Sequence, residues 1–141
     1  MLLEEVKKRF AEEVNRRADD DKYIDKNEEL EILQIAIQQG IGAEAARGAL
    51  VQVCSTQGYV VESQVLASVK KIIETFAEND GVISQKEFND AVTILKKECQ
   101  GKRTERQCKR MVIEVIEDNH YKAKQGIFNR WYNAVRKEVG L

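Results

Sequence analysis

Apolar residues recur at helical spacing along nearly the whole chain. Leu3, Val6, Phe10 and Val14 fall three and four residues apart with Lys and Glu between them, which predicts an amphipathic helix over 2–18. Leu30, Ile32, Leu33, Ile35, Ala36 and Ile37 fill almost every side of a second helix over 28–39. So little polar face predicts a central helix covered on several sides. Gly40 and Gly42 end it. Ala46, Leu50, Val53 and Cys54 mark a third helix over 43–57, where Ala45, Gly48 and Ala49 would allow close packing. Gly58-Tyr59-Val60-Val61 reads as an irregular link. Val65, Leu66, Val69, Ile72, Ile73 and Phe76 mark a fourth helix over 63–77. Phe88, Ala91, Val92, Leu95 and Cys99 mark a fifth, closed by Gly101. Cys108, Met111, Val112, Val115 and Ile116 mark a sixth, and Phe128, Trp131, Val135 and Val139 a seventh over 125–138. Strict alternation is scarce, so strand signals are weak. The expectation is an all-α, single-domain bundle of about seven helices over 1–141, with no linker rich in Gly, Ser or Pro.

Two acidic turns interrupt the apolar pattern. Asp21, Ile24, Asp25 and Glu28 recur 59 residues later as Asp80, Ile83, Ser84 and Glu87. The chain thus carries Asp-x-x-Ile-[Asp/Ser]-x-x-Glu twice. In each copy the Asp or Ser followed three residues later by Glu is a capping box, which opens a helix without any metal. Thr104 and Gln107 make a third box, and the residues before it include Gln100, Lys102 and Arg103 instead of carboxylates. Capping alone therefore does not demand Asp21 and Asp80.

An EF-hand loop supplies the competing explanation. With Gly81 at the loop glycine, Glu78, Asp80, Ser84 and Glu87 fall on ligand positions and Val82 supplies a carbonyl. Upstream, Asp19, Asp21, Asp25 and Glu28 fall on the same positions, with Tyr23 for the carbonyl and Lys22 in place of Gly. Phe76 and Arg17 stand where the first ligand belongs, so neither turn is a standard EF-hand. An Ile one residue before the cap is the position through which EF-hand loops pair side by side. Oxygen-only ligands point to calcium, with magnesium as the alternative. Both explanations, a cation site and a plain capped turn, stand at this point.

The doubled turn resembles the TerB-like family of tellurite-resistance and related stress proteins. The second copy, Asp80-Gly81-Val82-Ile83 with Glu87, is close to that family's motif, and the first, Asp21-Lys22-Tyr23-Ile24 with Glu28, departs only at Lys22. The resemblance covers residues 1–100 and leaves 102–141 as a basic C-terminal helical pair. It implies a helical bundle in which the two turns lie close together. It also implies that Asp21, Glu28, Asp80 and Glu87 bind a divalent cation, with Asp19, Asp25, Glu78 and Ser84 as additional candidates.

Charge refines the picture. Residues 1–95 hold 11 Lys and Arg against 18 Asp and Glu, whereas residues 96–141 hold 12 against 6. A basic tail that also carries Trp131 and Tyr132 offers Arg130, Trp131, Arg136 and Lys137 as partner-binding residues. The bland alternative places the aromatic residues in the core and the cations at its rim. A sequence pI near 6.0 disfavours nucleic acid, leaving a protein as the expected partner. The three cysteines form no Cys-x-x-Cys and read as buried thiols in a reducing compartment. No apolar run reaches membrane length and no leader pattern opens the chain, so the expected setting is the cytoplasm. His120 is the single histidine, expected at the surface or on a local backbone group, and no nucleophile elbow or phosphate loop occurs. The functional expectation is a non-enzymatic, calcium-binding interaction module connected with stress. The alternative is a metal-independent adaptor working through its basic aromatic C-terminal helices.

Overall fold

A computed structural model describes residues 3–18, 21–78, 81–123 and 130–141 of the chain. Among these residues there are seven α-helices and four strands of two residues each. The all-α bundle expected from the periodicity is what the structure shows. The helices are α1 (Leu3–Ala18), α2 (Lys26–Gln38), α3 (Ala43–Gln57), α4 (Glu62–Phe76), α5 (Gln85–Glu98), α6 (Glu105–Asp118) and α7 (Arg130–Glu138). The strands are β1 (Tyr23–Ile24), β2 (Val60–Val61), β3 (Val82–Ile83) and β4 (Lys122–Ala123). The chain divides into two compact units, Met1–Ser63 and Gln64–Leu141. Gln125, from which the seventh helix was expected to start, lies outside the described residues.

Each unit repeats one order: helix, short strand, helix, helix, short strand. In the first, β1 pairs with β2 in parallel, Tyr23 against Val60 and Ile24 against Val61. In the second, β3 pairs with β4 in parallel, Val82 against Lys122 and Ile83 against Ala123. Parallel strands cannot be joined by a tight hairpin, and here a pair of helices makes each crossover. Residues 58–61, read as an irregular link, thus contain a strand. Their partner lies 37 residues upstream, where no local pattern announces it. Ile24 and Ile83, at the position through which EF-hand loops pair, are each laddered inside their own unit, Ile24 with Val61 and Ile83 with Ala123.

Local chemistry explains why the same backbone path forms twice. Asp25, Ser84 and Thr104 each accept the N–H of the residue three positions on, and Glu28, Glu87 and Gln107 each take the cap residue's own N–H in return. All three boxes read from the sequence are therefore present. The residue leading into β1 or β3 stands in the left-handed region, Lys22 at φ 54° and Gly81 at φ 70°. The Lys22 carbonyl accepts the Val60 N–H at 2.9 Å, which fixes the start of the first ladder. The ends of α3 and α6 also correspond. Gly58 and His120 are left-handed at φ 77° and 60°, and the following residues, Tyr59 and Tyr121, donate back to Cys54 and Ile116. His120 is exposed, as expected, and its backbone N–H donates to the Glu117 carbonyl.

In the first unit a core of Val6, Phe10 and Val14 from α1 packs with Ile32, Leu33 and Ala36 from α2 and with Ala46, Leu50 and Cys54 from α3, closed by Ile24 and Val61 of the ladder. α2 is not covered on all sides. Its buried positions form one stripe with Glu29 among them, while Leu30 and Ile37 are 56% and 48% exposed. In the second unit Val69, Ile73, Ile83, Phe88, Leu95, Cys99, Cys108, Val112, Ile113 and Ile116 are buried.

Because a lysine occupies a left-handed position that Gly81 fills at the corresponding turn, Lys22→Gly is expected to stabilise the protein by about 0.5–1 kcal/mol and Gly81→Lys to cost about 1 kcal/mol. Urea unfolding midpoints of both variants against the parent check this.

Candidate functional site

The described carboxylates of the first turn face inward on the backbone. Asp21 is exposed and its Oδ1 accepts the Tyr23 N–H at 3.1 Å. Asp25 Oδ1 accepts from Glu28 N at 2.9 Å, and Glu28 Oε1 accepts from Asp25 N at 3.1 Å. Burial pushes the Glu28 carboxyl above its ordinary range, and the nearby charges of Asp25 and Asp21 push the same way against the backbone bond that lowers it. Three of the expected ligands in this turn therefore sit near one another. A fourth, Asp19, lies outside the described residues.

Glu62, in the first turn of α4, has no counterpart in the sequence reading. Its Oε1 accepts from the buried Tyr23 hydroxyl at 2.9 Å and its Oε2 from the Lys26 N–H at 3.2 Å. One carboxylate thus clamps β1 and the start of α2. Its only sequence signal is an acid directly after Val60-Val61, legible once that dipeptide is known to be a strand. Glu29 was also missed. It is 3% exposed and pairs with Arg47 of α3 at 3.1 Å. It falls on the apolar stripe with Ile32, Leu33 and Ala36, and an acid at that spacing is the cue that α2 needs a cation from its neighbour.

In the second turn Glu87 Oε1 accepts from Ser84 N at 2.9 Å, and Ser84 Oγ accepts from Glu87 N at 3.1 Å. Glu78 is exposed, and Asp80 lies outside the described residues. Among the described residues no group of three His, Cys, Asp or Glu side chains is arranged to hold a metal ion.

The basic C-terminal region is largely tied into its own unit. Trp131 is half-buried, with its ring 5.6 Å from Phe88 and 5.5 Å from Tyr132. Tyr132 is buried and donates to Glu117 at 2.8 Å, and Arg136 pairs with the same carboxylate. Burial, and then the bond to Glu117, push the Tyr132 hydroxyl well above its ordinary range. From α6, Arg106 donates to the Glu138 carbonyl at 3.0 Å and Arg110 to the Val139 carbonyl at 3.4 Å, while Lys109 meets the Glu138 carboxylate at 3.1 Å. Cations at the end of α7 satisfy its last carbonyls and complement its dipole. Of the expected partner-binding residues, Arg130 and Lys137 stand exposed, whereas Trp131 and Arg136 pack within the unit. No helix among the described residues is long and apolar enough to cross a membrane.

Two outcomes follow from the first turn. Tyr23→Phe leaves Glu62 short of a donor and should cost about 1–2 kcal/mol in a urea melt. Glu28→Gln keeps the cap, as Gln107 does, and removes a carboxyl whose raised pKa opposes folding once ionised. The folded state holds that proton more tightly, so the wild-type contribution is present below the unfolded carboxylate pKa. It is lost as pH rises through the folded value. Melting temperatures should favour Glu28→Gln near pH 7 and lose that advantage below about pH 4.

Comparisons with known proteins return no matching family model, no matching curated protein and no matching solved structure.

Proposed function

We propose that this chain is a non-enzymatic helical interaction module, with acidic turns that serve as structural corners and a protein as its partner. The observation that carries this reading is the outer face of α2. Leu30 and Ile37 lie seven residues apart on that helix, at 56% and 48% exposure, among the largest apolar side chains left in solvent. Apolar groups aligned on one helix face favour association with another apolar surface. Protein is favoured over nucleic acid because Arg106, Lys109, Arg110 and Arg136 are engaged with Glu117 and the end of α7. The test compares wild type with the Leu30→Gln/Ile37→Gln double variant. Equal melting temperatures, together with loss from the variant of a protein that wild type retains in quantitative affinity capture, support the reading. A variant that melts several degrees lower would mean that the face is covered within the molecule, and unchanged capture would mean that α2 binds nothing.

The first turn favours a second reading, in which a divalent cation, calcium before magnesium, is held by Asp21, Asp25 and Glu28. Burial, and after it the charges of Asp25 and Asp21, raise Glu28, and a cation would offset the charge part of that rise. The resemblance to TerB-like stress proteins supports the same reading. An ion would have to displace at least one of the backbone bonds these oxygens now accept. Melting temperature in calcium against chelator separates the two. A rise in calcium, blunted in Asp21→Asn and Glu28→Gln, supports an ion site. Superimposed curves leave the turns as corners.

A further inference from the structure

We propose that the hollow between the end of α5 and the start of α6 binds an acidic peptide segment of a partner protein. The hollow holds about 390 Å³ and is lined by Val92, Thr93, Lys96 and Lys97 of α5 and by Glu105 of α6. That volume suits a short stretch of chain rather than a folded surface. The four α5 residues recur three and four positions apart, which is why one side of the helix presents them together. Val92 is buried and gives the hollow an apolar floor, whereas Thr93, Lys96, Lys97 and Glu105 are exposed. The inference rests on the reading of the chain as an interaction module, but it places a separate contact in the second unit that shares no residue with α2.

The charges lining the hollow select its occupant. Lys96 and Lys97 lie in the last turn of α5 and Glu105 in the first turn of α6, so the helix dipoles account for the sign at each end. The dipoles do not supply the two ammonium groups with a carboxylate. Glu98, the next residue, accepts from Ser68 of α4 at 3.0 Å, and Asp90, earlier in α5, pairs with Lys86 at 3.7 Å. Two like charges on one concave surface repel each other, and an incoming carboxylate offsets that repulsion. The other two polar groups choose among anions. Thr93 gives its hydroxyl proton to the Asn89 carbonyl at 3.0 Å, so toward the hollow it can only accept. Glu105 is an acceptor as well. The occupant therefore carries N–H donors beside its negative charge. A peptide does so: an Asp or Glu side chain meets the lysines, adjoining backbone N–H groups meet Thr93 and Glu105, and an aliphatic side chain covers Val92. A nucleic-acid backbone would instead bring successive phosphates against the Glu105 carboxylate, with few donors to offset the repulsion.

The test titrates the isotope-labelled full chain with a short, end-blocked peptide of alternating Glu and Val, and follows its backbone amide shifts. The peptide should saturate by about 1 mM, with the largest shifts at residues 92–97 and 105. Binding should weaken as salt rises. The Lys96→Gln/Lys97→Gln double variant should bind about fivefold or more weakly while its spectrum away from the hollow stays that of wild type. A peptide of alternating Gln and Val should bind no better than the double variant does. Leu30→Gln/Ile37→Gln should bind the acidic peptide as wild type does, so loss of the α2 contact and loss of this one are read separately. No saturation by 1 mM, shifts centred elsewhere, equal binding by the lysine variant, or tighter binding of a single-stranded oligonucleotide than of the peptide would each overturn the proposal.

Discussion

A two-residue parallel ladder is the constraint on which each unit depends. To make it, the chain must leave a helix, turn through a left-handed residue, run extended for two positions and enter a capped helix at once. A helical hairpin then has to bring a second dipeptide alongside, because parallel strands allow no shorter return. In the first unit the buried side chains of Ile24 and Val61 close the core that α1, α2 and α3 build. The backbone bonds of so short a ladder are few. Its fixity comes from what surrounds it: the Lys22 carbonyl on Val60, and Glu62 on both Tyr23 and Lys26.

Helix positions and starts were legible in the sequence because their causes are local. A period near 3.6 marks α1, α4, α5 and α6, and the pairs Asp25 with Glu28, Ser84 with Glu87 and Thr104 with Gln107 state where three helices open. The ladders were illegible for the opposite reason. Two residues cannot display an alternation, and the partner of Ile24 is Val61, far along the chain. The repeated isoleucine was a sound signal of an equivalent turn, but repetition does not say what each copy pairs with. α2 misled through composition, since a helix apolar on most sides still buried one stripe, with Glu29 on it.

The acidic turn and the basic tail follow one electrostatic logic. Carboxylates at helix starts meet free N–H groups, and cations at a helix end meet free carbonyls, so charge that looks unbalanced along the sequence is spent on helix termini. Arg106 and Arg110 do this for α7, as Asp25 and Glu28 do for α2. Glu117 goes further, gathering Tyr132 and Arg136 of α7 onto α6. The aromatic residues beside those cations pack within the unit, the arrangement that a basic amphipathic sequence cannot by itself distinguish from an outward-facing one.

The three helix starts share one geometry but are built from different chemical pairs: two carboxylic acids at α2, a hydroxyl with one acid at α5, and a hydroxyl with an amide at α6. Proton uptake can therefore reach the opening of α2 through both members of its pair, that of α5 through one, and that of α6 through neither. Because the folded state holds the Glu28 proton more tightly, a drop in pH would favour the formed start of α2 through that residue, whereas the start of α6, with no titratable member in its pair, would be indifferent to it.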